Sequence, residues 1–216
     1  MLDQSTDIIR PVLDAGGPVV LVLLVLSVFA LAVVLLKVWQ FAGVRMARNM
    51  RLENAIDTWR AGQSQEAITQ LEQMPRNLSG LVLAAMRGLS ANIDAAAVRE
   101  EVTRLASVHM ESLREHLRTL EVIAAVSPLL GLFGTVLGMI EAFQQLESAG
   151  SNVDPALLSG GIWQALLTTA VGLGVAIPTV LAHNWLERRL EAYGHRINDL
   201  VTRVFTREVS RMTGVA

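Results

Sequence analysis

Charge disappears from this chain in three long stretches, and each stretch is long enough to cross a membrane. Ala15 to Leu36 carries no charged side chain and contains the run VVLVLLVLSVFALAVVLL. Val122 to Ile140 reads VIAAVSPLLGLFGTVLGMI, and Pro155 to Trp185 is uncharged over 31 residues. At about 1.5 Å of rise per residue, each covers a hydrocarbon core of roughly 30 Å as a helix. A cleaved leader is the competing reading of the first run, because Ala30-Leu31-Ala32 has a small-x-small form. Asp3, Asp7 and Asp14 against a single Arg10 make the preceding segment acidic, whereas a leader needs a basic one. Three spanning helices are therefore expected.

Basic residues flank these runs on one side. Lys37, Arg45, Arg48 and Arg51 follow the first, Arg114 and Arg118 precede the second, and Arg188, Arg189 and Arg196 follow the third. The positive-inside rule then puts the N-terminus and the short loop from Glu141 to Asp154 outside, with the C-terminal tail in the cytoplasm. In the third run, Trp163 and Trp185 are separated by about 33 Å of helix, which suits two interfacial anchors or two ordinary packing residues.

Outside the spans the pattern is helical. The region after the first span is rich in Arg, Glu, Ala and Leu, with breaks expected at Gly62 and Pro75. From Asp94, the positions Val102, Leu105, Leu113 and Leu120 recur with helical spacing and meet no breaker before the second span, which predicts one long helix projecting from the membrane. The tail from Glu187 to about Met212 reads as a matching extension of the third helix, interrupted at most by Gly194. The expectation is an all-α, integral membrane fold in which the second and third spanning helices extend into a cytoplasmic helical bundle. It is one domain: an outer segment at 1–14, a first span at 15–36, a cytoplasmic helical region at 37–118, a second span at 119–145, an outer loop at 146–158, a third span at 159–186 and a cytoplasmic tail at 187–216.

Composition agrees and narrows the chemistry. The chain is 52% apolar, more than one soluble core of 216 residues would bury. Its net charge of -2 conceals the placement of the charges, since no Lys or Arg occurs from Thr119 through Glu187. Cysteine is absent, which removes disulfides, thiolate nucleophiles and Cys-based metal sites. His109 and His116 lie seven residues apart, about 10 Å along a helix, too far to share one metal ion, and read as interface residues. There is no phosphate-cradling glycine loop, nucleophile elbow or basic nucleic-acid surface, so neither an enzyme nor a metal or cofactor site is expected.

The spans themselves differ. The first is bulky Leu and Val. The second carries Gly131, Gly134 and Gly138, and the third carries Gly160, Gly161, Gly172 and Gly174. Small residues let backbones approach closely in lipid, which makes the second and third helices the packing pair and the first a lipid-facing skirt. Ser127 and Thr135 in the second span, and Gln164, Thr168, Thr169 and Thr179 in the third, either line a polar path or bond within the helices as glue. Pro128 and Pro178 each remove a helix hydrogen bond and permit a hinge. Neither span has a carboxylate, His or Lys near its midplane, and Glu141 stands at the outer end of the second. A proton path through these helices would need a titrating group from a second protein.

The segments SPLLGLFGTVLGMIEAF from Ser127 to Phe143 and GGIWQALLTTAVGLGVAIPTVLAHNWLERRLE from Gly160 to Glu191 resemble the MotA/TolQ/ExbB proton-channel family. With three spans and an outer N-terminus, the layout fits the ExbB/TolQ branch better than the four-span MotA branch. The resemblance implies a homopentamer in the bacterial inner membrane, multi-pass, with a periplasmic N-terminus and a cytoplasmic C-terminus. Its second and third helices would enclose the helices of a dimeric ExbD- or TolR-like partner that brings a membrane Asp. Proton flow would then drive a TonB- or TolA-like protein. It also implies that Thr135 and Thr169 line the channel. Where ExbB and TolQ commonly have Glu before the ALL segment, this chain has Gln164, which keeps hydrogen bonding and loses charge.

Overall fold

A backbone in lipid has no water to bond, so an apolar run satisfies its amides internally and becomes a helix. The computed structural model, which describes residues 3–42, 47–75, 78–149 and 155–206, is helical throughout its elements, with no strand among the described residues. Among the described residues seven helices follow one another: α1 (Asp3–Ala42), α2 (Ala47–Arg60), α3 (Ser64–Glu72), α4 (Leu78–Ser90), α5 (Ala95–Arg114), α6 (Leu117–Ala149) and α7 (Pro155–Phe205). Three helical stretches among the described residues are long and apolar enough to cross a membrane: Gly17–Gln40, one within Ala95–Ser148 and one within Leu158–Phe205. Arg45, residues 150–154 of the outer loop, and the tail beyond Thr206, including Met212, lie outside the described residues.

The chain divides into two compact units. The first comprises Met1–Val38 and His116–Leu186 and holds the three apolar stretches. Its α1 is interrupted at Gly17, whose φ of 61° and ψ of -165° are open to glycine and closed to residues with a Cβ. Beyond Gly17, one stripe of α1 is buried, at Val20, Leu23, Ala30, Val33 and Lys37, while Leu21, Val25, Val28, Phe29 and Leu36 point outward. The skirt expected for the first span thus has one packed face. α6 runs eight residues beyond Glu141 to Ala149, so helix occupies part of the segment expected to be loop.

The second unit comprises Trp39–Glu115 and Glu187–Ala216. Short helices α2, α3, α4 and α5 pack in sequence. The breaks fall where expected: Gly62 at φ 101° follows α2, and Pro75 follows α3. Asp94 caps α5 by accepting a hydrogen bond from the Ala97 amide at 3.2 Å. Ile56, Trp59, Leu71, Val82, Met86 and Val102 form a core with Ile197, Leu200 and Val204 of α7. The Trp59 indole donates to the Val204 carbonyl at 3.3 Å, satisfying an acceptor near the end of α7. Arg196 donates to Glu53, and the Arg99 guanidinium lies 4.8 Å from the centre of the Phe205 ring.

One expectation fails. The single long helix predicted from Asp94 into the second span is interrupted at Glu115 and His116, where Glu115 has ψ 143° and His116 has φ 67°. Leu113 stands in the last turn of α5 and Leu117 begins α6, and both are buried. The apolar stripe stays in phase across the break, so periodicity is blind to it. A left-handed residue other than glycine costs about 1–2 kcal/mol, and histidine is among the types that accept it more readily.

Candidate functional site

Within the first unit, α6 and α7 meet along a seam whose closeness depends on absent side chains. A Cβ built on Gly134 would lie 2.7 Å from the Thr168 Cβ and Oγ1, and one on Gly172 would lie 2.7 Å from the Ser127 carbonyl and 2.9 Å from Gly131 Cα. On Gly131 it would reach the Thr168 carbonyl at 3.0 Å, and on Gly138 it would stand 3.3 Å from Ala165. Gly161 abuts Ala142 in the same way. Gly160 and Gly174 have nothing within 4 Å, so those two glycines of the third span are not part of the seam.

The hydroxyls divide by burial. Ser127 is fully enclosed and donates to the Ile123 carbonyl at 2.7 Å, one turn back in its own helix. Thr168, 2% exposed, donates to Ala165 at 2.7 Å and lies 3.3 Å from the Gly131 carbonyl across the seam. Thr179 is buried and donates to Val175 at 2.7 Å. Thr135 and Thr169 are half-buried: the first donates to Leu132 at 2.6 Å, the second to Gly131 at 3.3 Å. Gly131 therefore offers its carbonyl to two threonines of α7. Each donating hydroxyl keeps lone pairs on its oxygen, and where the oxygen is not enclosed these can accept from water or hold a cation.

The remaining candidates sit at separate levels. Gln164 is half-buried, and its Nε2 lies 3.4 Å from where a Cβ on Gly17 would stand, so the amide is placed beside the kink of α1. Pro128 is half-buried inside α6 and Pro178 is exposed inside α7, and both helices continue through them. Trp163 and Trp185 are exposed. Away from the seam, in the second unit, His109 pairs through Nε2 with the Tyr193 hydroxyl at 3.1 Å; burial pulls the His109 imidazole down from its ordinary value and pushes the Tyr193 phenol up. His116 stands at the exposed helix break. Sequence reasoning passed over His183, whose Nδ1 is enclosed without a hydrogen-bond partner. Its signal was its place as the one histidine in the long stretch without Lys or Arg.

A model of the MotA/TolQ/ExbB proton channel family matches residues 73–199, more than half of the chain. The chain belongs to this family. The match reaches beyond the two spans that carried the resemblance and takes in α4, α5 and most of α7. Among curated relatives, the Tol-Pal system protein TolQ of Haemophilus influenzae is 41% identical over 97 residues, 43% of this chain and 42% of that protein. A putative biopolymer transport protein ExbB homolog of Methanothermobacter thermautotrophicus is 27% identical over 178 residues, 82% of this chain and 62% of that protein. The biopolymer transport protein ExbB of Xanthomonas campestris is 27% identical over 193 residues, 74% of each chain. The chain thus spans about two-fifths of the TolQ and about three-fifths of the Methanothermobacter homolog. Family membership and the three apolar stretches make this a multi-pass membrane protein of a proton-channel family, not of an enzyme family.

Proposed function

We propose that this protein is a non-enzymatic subunit of an energy converter in the bacterial inner membrane. Copies, five by the family resemblance, ring the helices of an ExbD- or TolR-like partner, with the N-terminus periplasmic and the second unit in the cytoplasm. One observation carries the reading: the α6–α7 seam is built from hydroxyls and glycines, and neither helix has a carboxylate between Glu121 and Glu141 or before Glu187. A carboxylate on which a proton can dwell near the membrane midplane must come from a partner helix. Each proton crossing 100 mV releases about 2.3 kcal/mol, enough for a few to reset packed helices.

Burial sharpens the residue roles. Ser127 and Thr168 are enclosed and bonded within one chain, which supports a packing role, whereas Thr135 and Thr169 keep part of their surface open and are assigned to the path, with Gln164 at its outer end. Pro128 and Pro178 are the hinge candidates. The work done is ExbB-like, powering a TonB-like protein for outer-membrane transport; a TolQ-like role in envelope maintenance through a TolA-like protein is the alternative, since relatives bear both names.

The test is proton flux through vesicles holding the full chain with an acid-bearing partner. Thr135→Val with Thr169→Val should abolish flux while leaving the complex assembled. Undiminished flux in that double variant refutes the path assignment, and a complex that stabilises its partner without conducting refutes the energy-converting role.

A further inference from the structure

The buried face of α7 holds a titratable group that the hydroxyl path leaves unused. At 3.6 residues per turn, Thr168, Gly172, Thr179 and His183 fall within an arc of about 60° on the helix. The first three are buried. His183 is half-buried, and its Nδ1 is enclosed with no hydrogen-bond partner among the described residues. The ring thus turns Nδ1 into the unit while part of the side chain stays open. Polar atoms held unpaired in a membrane span are unfavourable, and where they persist they mark ion routes.

The ends of the seam fix where this ring sits. Gly138 meets Ala165, Gly134 meets Thr168 and Ser127 meets Gly172, so α6 and α7 run in opposite directions. His183 lies toward the start of α6, remote from Gln164. The charged groups at that end are Arg118 and Glu121 of α6, both exposed, and Lys37 of α1, which is buried and already engaged. α7 carries none of its own before Glu187.

We propose that His183 is a proton-relay residue at the end of the third span remote from Gln164. Nδ1 accepts a proton delivered from the Thr135 and Thr169 path, Nε2 gives its own proton to water, and the ring is reset when it turns over or exchanges its proton through water. Imidazole suits this step because one ring nitrogen can accept a proton while the other donates one. The inference rests on the ion-conducting reading above and commits that reading to protons over sodium.

The experiment compares proton flux in vesicles for the full complex with His183 intact, with His183→Gln and with His183→Ala, the last also with free imidazole in the medium. Both variants should conduct about a hundred-fold more slowly. Imidazole should restore flux to His183→Ala and should not restore it to the Thr135→Val, Thr169→Val double variant. Full flux in both His183 variants overturns the relay, as does sodium flux in place of proton flux. A loss that imidazole does not mend assigns His183 to packing and overturns the relay as well. An unaltered complex that passes no ions overturns the energy-converting role and the relay together, so the two failures are told apart.

Discussion

The two units of this chain hold their helices together by opposite means. In the second unit the core is large and apolar: Trp59, Leu71, Met86 and Leu200 are enclosed, and the charges of Arg87, Glu72, Arg104 and Glu101 lie at the surface. In the first, Leu129, Phe133, Val136, Leu166 and Ile177 point outward, and what lies between α6 and α7 is glycine, alanine and hydroxyl. Water rewards the burial of large side chains in the second unit. Lipid gives no such reward in the first, where close backbone approach and hydrogen bonds must do it. α7 contributes to both, with Thr168 and Gly172 in one setting and Leu200 and Val204 in the other.

This contrast can be broken by changing one residue at a time. The largest expected effect is in the second unit: Leu200→Ala removes a fully buried side chain and should cost about 2–5 kcal/mol, read as a lowered midpoint of denaturant unfolding. In the first unit the reverse change does the damage. Gly172→Ala should cost about 1–3 kcal/mol, at the upper end because the added carbon meets backbone, while Gly174→Ala, with open space around it, should be neutral. Thermal unfolding in detergent distinguishes the pair, and equal loss in both would show that the seam is not where the packing lies.

The smallest effect concerns acidification of the second unit. Burial holds the His109 pKa below its ordinary value of 6.5, so the folded state resists a proton that the unfolded chain accepts. The unfolded chain therefore binds more protons as pH falls through 6.5 toward the folded value. The stability of the unit is complete above that window and declines within it. His109→Phe should flatten the decline. A wild-type stability profile already flat across the window, measured by denaturant titration at several pH values, contradicts this assignment.

Much of the fold was legible because lipid imposes a simple rule. A long uncharged run must satisfy its backbone internally in lipid, and the three such runs all became helices. The breaks at Gly62 and Pro75 were legible for local reasons of conformation. The break at His116 was not: neither residue of the pair is a glycine or proline, and Leu113, Leu117 and Leu120 preserve one stripe on both sides of it. Among the site residues, the glycines were visible as a group, yet sequence could not separate Gly172, pressed against Ser127, from Gly174, which touches nothing. Ser127, Thr135, Thr168 and Thr169 are alike in residue type, and only the family resemblance set Thr135 and Thr169 apart; that Ser127 and Thr168 are enclosed and the other two half-open is visible in the structure alone.

The sequence by itself determined the solvent of each segment, the number of apolar spans and the family, because each is written in residue type and in contiguous motifs. Tertiary structure alone decided which small residues meet, which hydroxyls are enclosed, and that His183 turns an unbonded nitrogen inward. The physical reason is that packing depends on the relative rotation of two helices remote in sequence, and a composition rich in small residues permits many such rotations.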